Sequence, residues 1–185
     1  DVDSIGEIND LAAIVNKVML TAADTNPNPA LSIADLGKLG LDMSGVTAAN
    51  LPSLLASIAG TVNTGTAVDS VAELQALITA LDKTVPVFSS GTSANAYSDA
   101  PLSAVVYDAQ ASDNGGANDA GLHYSLGGTD ASRFVIDAAT GEVRFNGSVP
   151  AYVPGVANSY GITVSAVDAT GNQADRNLTV ALKFT

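Results

Sequence analysis

Cysteine and tryptophan are absent from the 185 residues, and basic side chains are scarce: seven Lys and Arg stand against nineteen Asp and Glu, for a formal net charge of −12. Without cysteine there is no disulfide framework and no thiolate metal site. A secreted domain of this kind needs another stabiliser, such as a metal ion or neighbouring repeats. The shortage of basic residues argues against nucleic acid and anionic membranes as partners. No apolar run approaches the roughly 20 residues of a membrane span, so membrane insertion is not expected, and no signal peptide opens the chain. The abrupt Asp1-Val2-Asp3 start reads as the beginning of a piece of something longer. Histidine occurs once, as His123, between Leu122 and Tyr124, and is expected to face solvent. One histidine without a second nitrogen or sulfur ligand makes no zinc site, and no G-x-S-x-G elbow is present, so no catalysis is expected.

What is present is aspartate, which supplies 16 of the acidic residues against three Glu. Aspartate suits turns and helix caps, and equally suits hard-cation sites built from loop carboxylates. Residues 1–83 carry helical periodicity. Ser4-Ile5-Gly6-Glu7 fits a capping box ahead of Ile8, Leu11, Ile14, Val15, Val18 and Met19, read as one apolar face. Thr25 to Pro29 is a loop, Ser32 with Asp35 starts a short second helix, and Thr47 starts a third that carries Leu51, Leu54, Leu55 and Ile58. Asp69-Ser70 starts a fourth with Leu74, Leu77, Ile78 and Leu81. Val2-Asp3-Ser4-Ile5-Gly6-Glu7-Ile8 matches Val68-Asp69-Ser70-Val71-Ala72-Glu73-Leu74 at an offset of 66 residues. Residues 1–66 therefore read as one repeat unit, and the fourth helix as the start of a second, expected here to complete a four-helix bundle.

Beyond Lys83-Thr84-Val85-Pro86 the period changes from helical to two. Pro86 and Phe88 open a first strand, and a second is expected from Leu102 to Ala111. Strands then follow at 122–126, 134–137, 142–146, 159–167 and 176–184. Gly141 supplies the positive φ for the turn after Ala138-Ala139-Thr140. Asn146 to Asn158 is an irregular loop in which Tyr152 is expected to be exposed. Some seven short strands over about 100 residues fit a Greek-key β-sandwich. The fold class expected is a multidomain α-then-β chain, with a small helical bundle over 1–83 and an immunoglobulin-like Greek-key β-sandwich over 84–185.

Tyr124-Ser125-Leu126, Phe134-x-Ile136-Asp137-x-x-Thr140-Gly141-x-Val143 and Tyr160-x-Ile162-Thr163-Val164-x-Ala166-x-Asp168 stand in the order of a cadherin-type repeat, and residues 86–184 resemble one. The helical segment is similar to spacers of the large secreted, RTX- and biofilm-type bacterial surface adhesins that carry such repeats. The resemblance implies calcium as the cofactor, held at one end of the sandwich. Its ligands would be Asp82 ahead of Pro86-x-Phe88, Asp113 in Ala111-Ser112-Asp113, and Asp168 in Ala166-Val167-Asp168. Gly115 stands where the family has a second loop aspartate, with Asp119 or Asn118 as its substitute, and the acidic motif expected near 149–152 is missing, so one ion is implied rather than three. Asx-turns within their own loops are the other reading of Asp113 and Asp168; Asp130 and Asp137 are read as turn residues.

The function expected is a non-catalytic structural and adhesive segment of a large extracellular protein on a bacterial surface, calcium-stiffened at the junction between its domains. Neighbouring repeats of the same chain, and a cell-surface glycan or protein, are its expected partners. Two alternatives belong to other classes. One is a sugar- or peptide-binding module reading its ligand with loops 112–121 and 146–158. The other is an accessory region of a secreted hydrolase.

Overall fold

The computed structural model describes residues 4–23, 31–61, 68–113 and 121–184. Contacts divide the chain into two compact units, Asp1–Lys83 and Thr84–Thr185. The first is a small helical bundle and the second a β-sandwich.

The helical unit contains α1 (Ile5–Ala23), α2 (Ile33–Lys38), α3 (Leu51–Ala59) and α4 (Val71–Ala80). Capping boxes set three of the starts, with Ser4, Ser32 and Ser70 each accepting from the backbone N–H of the residue three ahead. The third helix begins later than its sequence implies. Thr47 and Asn50 exchange side-chain-to-backbone bonds of 2.8 and 3.3 Å, closing a turn first, and Pro52 then sits in the opening turn of α3. Ile14, Val18, Leu36, Leu54, Ile58, Leu74 and Ile78 form the centre of an aliphatic core. The apolar face expected of α1 divides. Ile14 and Val18 are buried, whereas Ile8 and Val15 are 56% and 49% exposed. The expected loop at Thr25–Pro29 lies outside the described residues.

The second unit begins with β1 (Val87–Phe88) and β2 (Ser93–Tyr97), followed by β3 (Tyr107–Asp108), β4 (Ala111–Ser112) and β5 (His123–Gly127). It ends with β6 (Phe134–Ile136), β7 (Glu142–Phe145), β8 (Ser159–Val167) and β9 (Gln173–Lys183). One sheet has the order β2-β9-β8-β5; the other strands form β3-β7-β6 and the short pair β1-β4. Alternate residues of the long strands point inward, so that Ile162, Val164 and Ala166 of β8 meet Leu178, Val180 and Leu182 of β9 in the core. Gly141 has φ 79°, and a Cβ there would run into the Ala109 carbonyl, so the turn before β7 requires glycine.

The sandwich departs from the sequence reading in four places. β2 pairs in parallel with β9 from Ser93↔Thr179 to Tyr97↔Lys183, although the alternating inward positions of its Ser-Ala-Asn-Ala-Tyr sequence are only alanines. The strand expected over Leu102–Ala111 is interrupted: a turn closes from Ala104 N–H to Pro101 O, and Leu102 and Val105 are 44% and 43% exposed. Phe184, at the end of the strand expected over 176–184, lies past the end of β9 and is exposed. Its ring instead meets that of Tyr152, 5.9 Å away, which leaves Tyr152 half-buried rather than exposed.

Candidate metal centre

Strand register gathers the carboxylates. β1 runs antiparallel to β4, with Val87 opposite Ser112 and Phe88 opposite Ala111. The chain leaving β4 begins with Asp113. Arg176 of β9 fastens this edge. Its guanidinium donates to the carbonyls of Phe88 (3.0 Å) and Ser90 (3.1 Å) and lies 5.3 Å from the centre of the Phe88 ring. Ala111 N–H donates to the Tyr124 hydroxyl at 3.1 Å, which fixes the residue two before Asp113. Asp168 follows the last residue of β8, where Val167 pairs with His123 and Gln173.

As a result Asp82, Asp113 and Asp168 each offer a carboxylate oxygen, and the three oxygens lie within 4.8 Å of one another. Asp113 and Asp168 are buried, 9% and 8% exposed, and Asp82 is half-buried. Two carboxylate charges about 5 Å apart repel by roughly 3 kcal/mol at an effective dielectric constant of ~20. Hydrogen-bond donors, protons or a cation can offset that repulsion. Oxygen-only donors converging from separate loops are the kind of set a hard cation such as Ca²⁺ takes.

Asp168 is also built into its own turn. Its Oδ1 accepts from the N–H groups of Thr170 (2.8 Å), Gly171 (2.7 Å) and Asn172 (2.9 Å), and from the Thr170 hydroxyl (2.9 Å). Its Oδ2 accepts from Asn172 Nδ2 at 2.8 Å. Burial pushes the carboxyl up, but the bonds from Asn172 and Thr170 outweigh it and hold the group below its ordinary range. The Asx-turn reading is therefore realised at Asp168. It leaves Oδ2 as the oxygen turned to other work. Asn172, 5% exposed, holds the Asp168 carboxylate in its turn, a partner that the sequence reading does not single out. The signal was there: an amide four residues after the aspartate, close enough to close a loop around it.

Among the described residues, Asp130 and Asp137 are tied to turns of their own. Asp119 lies outside the described residues. Asp137 accepts at Oδ1 from Ala139 and Thr140 N–H groups (2.9 and 3.0 Å), as a turn residue should. Asp130 accepts from Gly161 N–H at 2.8 Å, joining the 131–133 turn to β8. His123 is exposed. In loop 146–158, Asn158 bonds the backbone of Val153 and Val156 at 2.7–3.0 Å, closing the loop on itself. No helix among the described residues is long and apolar enough to cross a membrane.

No family model matches the sequence, and no curated protein matches it. The chain is similar in structure to cadherin extracellular domains. Domains 1–2 of human protocadherin-24 match at 24% identity over 53% of this chain and 43% of that one, with a TM-score of 0.44. Domains 22–24 of mouse cadherin-23 match at 24% identity over 55% and 32%, with a TM-score of 0.45. Domains 1–3 of Drosophila N-cadherin match at 18% identity over 55% and 34%, with a TM-score of 0.46. The match thus spans less than half the length of each of those structures.

Proposed function

We propose that this chain is a non-catalytic structural and adhesive segment of an extracellular, bacterial surface protein, in which one calcium ion held by Asp82, Asp113 and Asp168 stiffens the connection that leads into the sandwich. One observation carries the reading: three carboxylates distant in sequence converge within 4.8 Å, two of them buried. Buried like charges cost stability unless something compensates them. A surface merely rich in aspartate would spread these groups into solvent. The ion would take Oδ2 of Asp168, because Oδ1 is engaged by four donors of its own turn. Asp113 and Asp82 would supply the other charged oxygens. Such an ion would join the entry segment of β1 to the ends of β4 and β8. That gives a mechanical element rather than a catalytic one. Neighbouring repeats of the same polypeptide, with a surface glycan or protein at some point along it, would be its partners.

Thermal unfolding in EDTA and across a calcium titration tests the reading. A ligand that binds only the folded state adds about 2.7 kcal/mol at a hundredfold excess over Kd. Calcium is expected to raise the midpoint, and Asp82→Asn and Asp113→Asn, which keep shape and remove charge, to reduce that rise. In EDTA the same two variants should be neutral or stabilising, since each relieves repulsion. A midpoint indifferent to calcium, with both variants destabilising in EDTA, would leave a metal-free sandwich and sink the proposal.

A further inference from the structure

The repeated motif allows one stretch of helix to be seen in two settings. Ser4 and Glu7 make a capping box in which Ser4 N–H and Oγ donate to Glu7 Oε2 at 3.0 Å and Glu7 N–H donates back at 3.2 Å. Ser70 and Glu73 repeat it, at 3.1, 2.9 and 3.2 Å. From these starts the 66-residue offset places Ile8 on Leu74, Ala12 on Ile78 and Val15 on Leu81. On α4 that stripe is core. Leu74 and Ile78 are 5% and 1% exposed, and Leu81 packs against the same cluster. Between them Gln75 clasps the backbone of Asp42, accepting its N–H at 2.8 Å and donating to its carbonyl at 3.3 Å. On α1 the matching stripe faces away: Ile8 is 56% and Val15 49% exposed, and Ala12 is exposed. An amide, Asn9, stands at the Gln75 position.

The stripe of α1 that is buried here is a different one, Ile14, Val18 and Ala22. A 19-residue helix with two apolar stripes and one in use has a face built for another body. That face is continuous with an interface the unit already makes, because Val15 borders a groove shared with Val68, Val71 and Leu74. We infer that α1 is a helix shared between two units: Ile14, Val18 and Ala22 close this one, while Ile8, Ala12 and Val15 close the core of a preceding helical unit of the same repeat, as Leu74, Ile78 and Leu81 close this one. The occupant of the exposed stripe is thus the α1–α3 surface of a further copy of residues 1–66 in the same polypeptide. This deepens the reading of the chain as a segment of an array by naming the partner, and it does not depend on the carboxylate cluster.

The test adds a second copy of residues 1–66 ahead of the full chain and follows hydrogen exchange in EDTA, where the calcium proposal plays no part. In the unextended chain, residues 5–12 should exchange faster than 71–78. In the extended chain the downstream 5–12 should slow by ~10-fold or more, as buried helix does relative to fraying helix. Ile8→Asp in the downstream copy should abolish that protection, yet leave the melting temperature of the unextended chain unchanged. Leu74→Asp in the unextended chain, at the position that is filled, should lower it sharply. Equal exchange with and without the added copy would overturn the inference, and so would protection that survives Ile8→Asp. Self-association of the unextended chain, abolished by Ile8→Asp, would also overturn it, since the stripe would then serve a second molecule.

Discussion

The two units solve the problem of a core with different materials. Every aromatic residue of the chain, five Tyr and four Phe, lies at Phe88 or beyond, and residues 1–83 contain none. Among the described residues, the buried hydrophobic side chains of the helical unit are Leu, Ile, Val and Ala. The sandwich adds rings: Phe134 and Phe145 stack at 4.8 Å, and Tyr160 meets both edge-on at 5.8 and 6.1 Å, with the Arg133 guanidinium 5.3 Å from its centre. Aliphatic helices present stripes, and a stripe can be met by the same repeat again. A ring cluster closes one end of a sandwich and is specific to its place. The difference also gives each unit its own signal: near-ultraviolet circular dichroism reports the sandwich alone, while ellipticity at helical wavelengths follows the bundle.

The largest expected effect is at the ring cluster. Phe134→Ala should cost about 4 kcal/mol, since it removes a buried ring and the two it packs against cannot collapse onto the gap. The near-ultraviolet midpoint reads this loss. Leu54→Ala, at a fully buried position of α3, should cost about 3 kcal/mol, read at helical wavelengths. Helices can slide together where strands locked in a ladder cannot. If Leu54→Ala proved the costlier of the two, the view of the aliphatic bundle as the more adaptable core would fail.

How far these cores were legible in the sequence follows the same division. Helix starts were legible because Ser32/Asp35 and Ser70/Glu73 are local signals, complete within four residues. The face of α1 was not, because periodicity alone merges two stripes into one; only the partner body separates Ile14 and Val18 from Ile8 and Val15. The strands with strict alternation, β5 to β9, were legible. β2 was not, since it buries little beyond Ala96 and owes its place to a parallel ladder with a strand some 85 residues later. Asp82, Asp113 and Asp168 could be nominated from motif position, but their convergence depends on the β1–β4 register, which no local pattern encodes.

A smaller effect separates the two copies of the capping box. Ser70→Ala removes the acceptor for Glu73 N–H at the head of a helix whose next turns are buried, and should cost about 1 kcal/mol. Ser4→Ala makes the same chemical change at the head of α1, where residues 4–10 are exposed. There the first turns can fray without disturbing Ile14 or Val18, so the midpoint should move by only a few tenths of that. Equal losses would mean that the outer half of α1 is coupled to the core after all.

Acid offers the finest discrimination, between two aspartates that each serve their own turn. Both Asp137 and Asp168 are held below the ordinary carboxyl range. Backbone bonds from Ala139 and Thr140 lower the first; at the second, burial opposes and is outweighed by Asn172 and Thr170. A depressed folded-state value stabilises above the unfolded value of about 3.9, and that stability is lost as pH falls through the folded value. In EDTA, then, the near-ultraviolet midpoint should hold at neutral pH and decline below about pH 4. Asp168→Asn keeps an Oδ1 acceptor for the turn while removing the titration, so it should flatten the decline measurably. Asp137→Asn should flatten it less, because solvent already screens that exposed carboxylate. An acid limb unchanged by Asp168→Asn would show that the buried turn around Asp168 does not depend on its charge, and that the difference between a buried and an exposed aspartate turn here is one of packing alone.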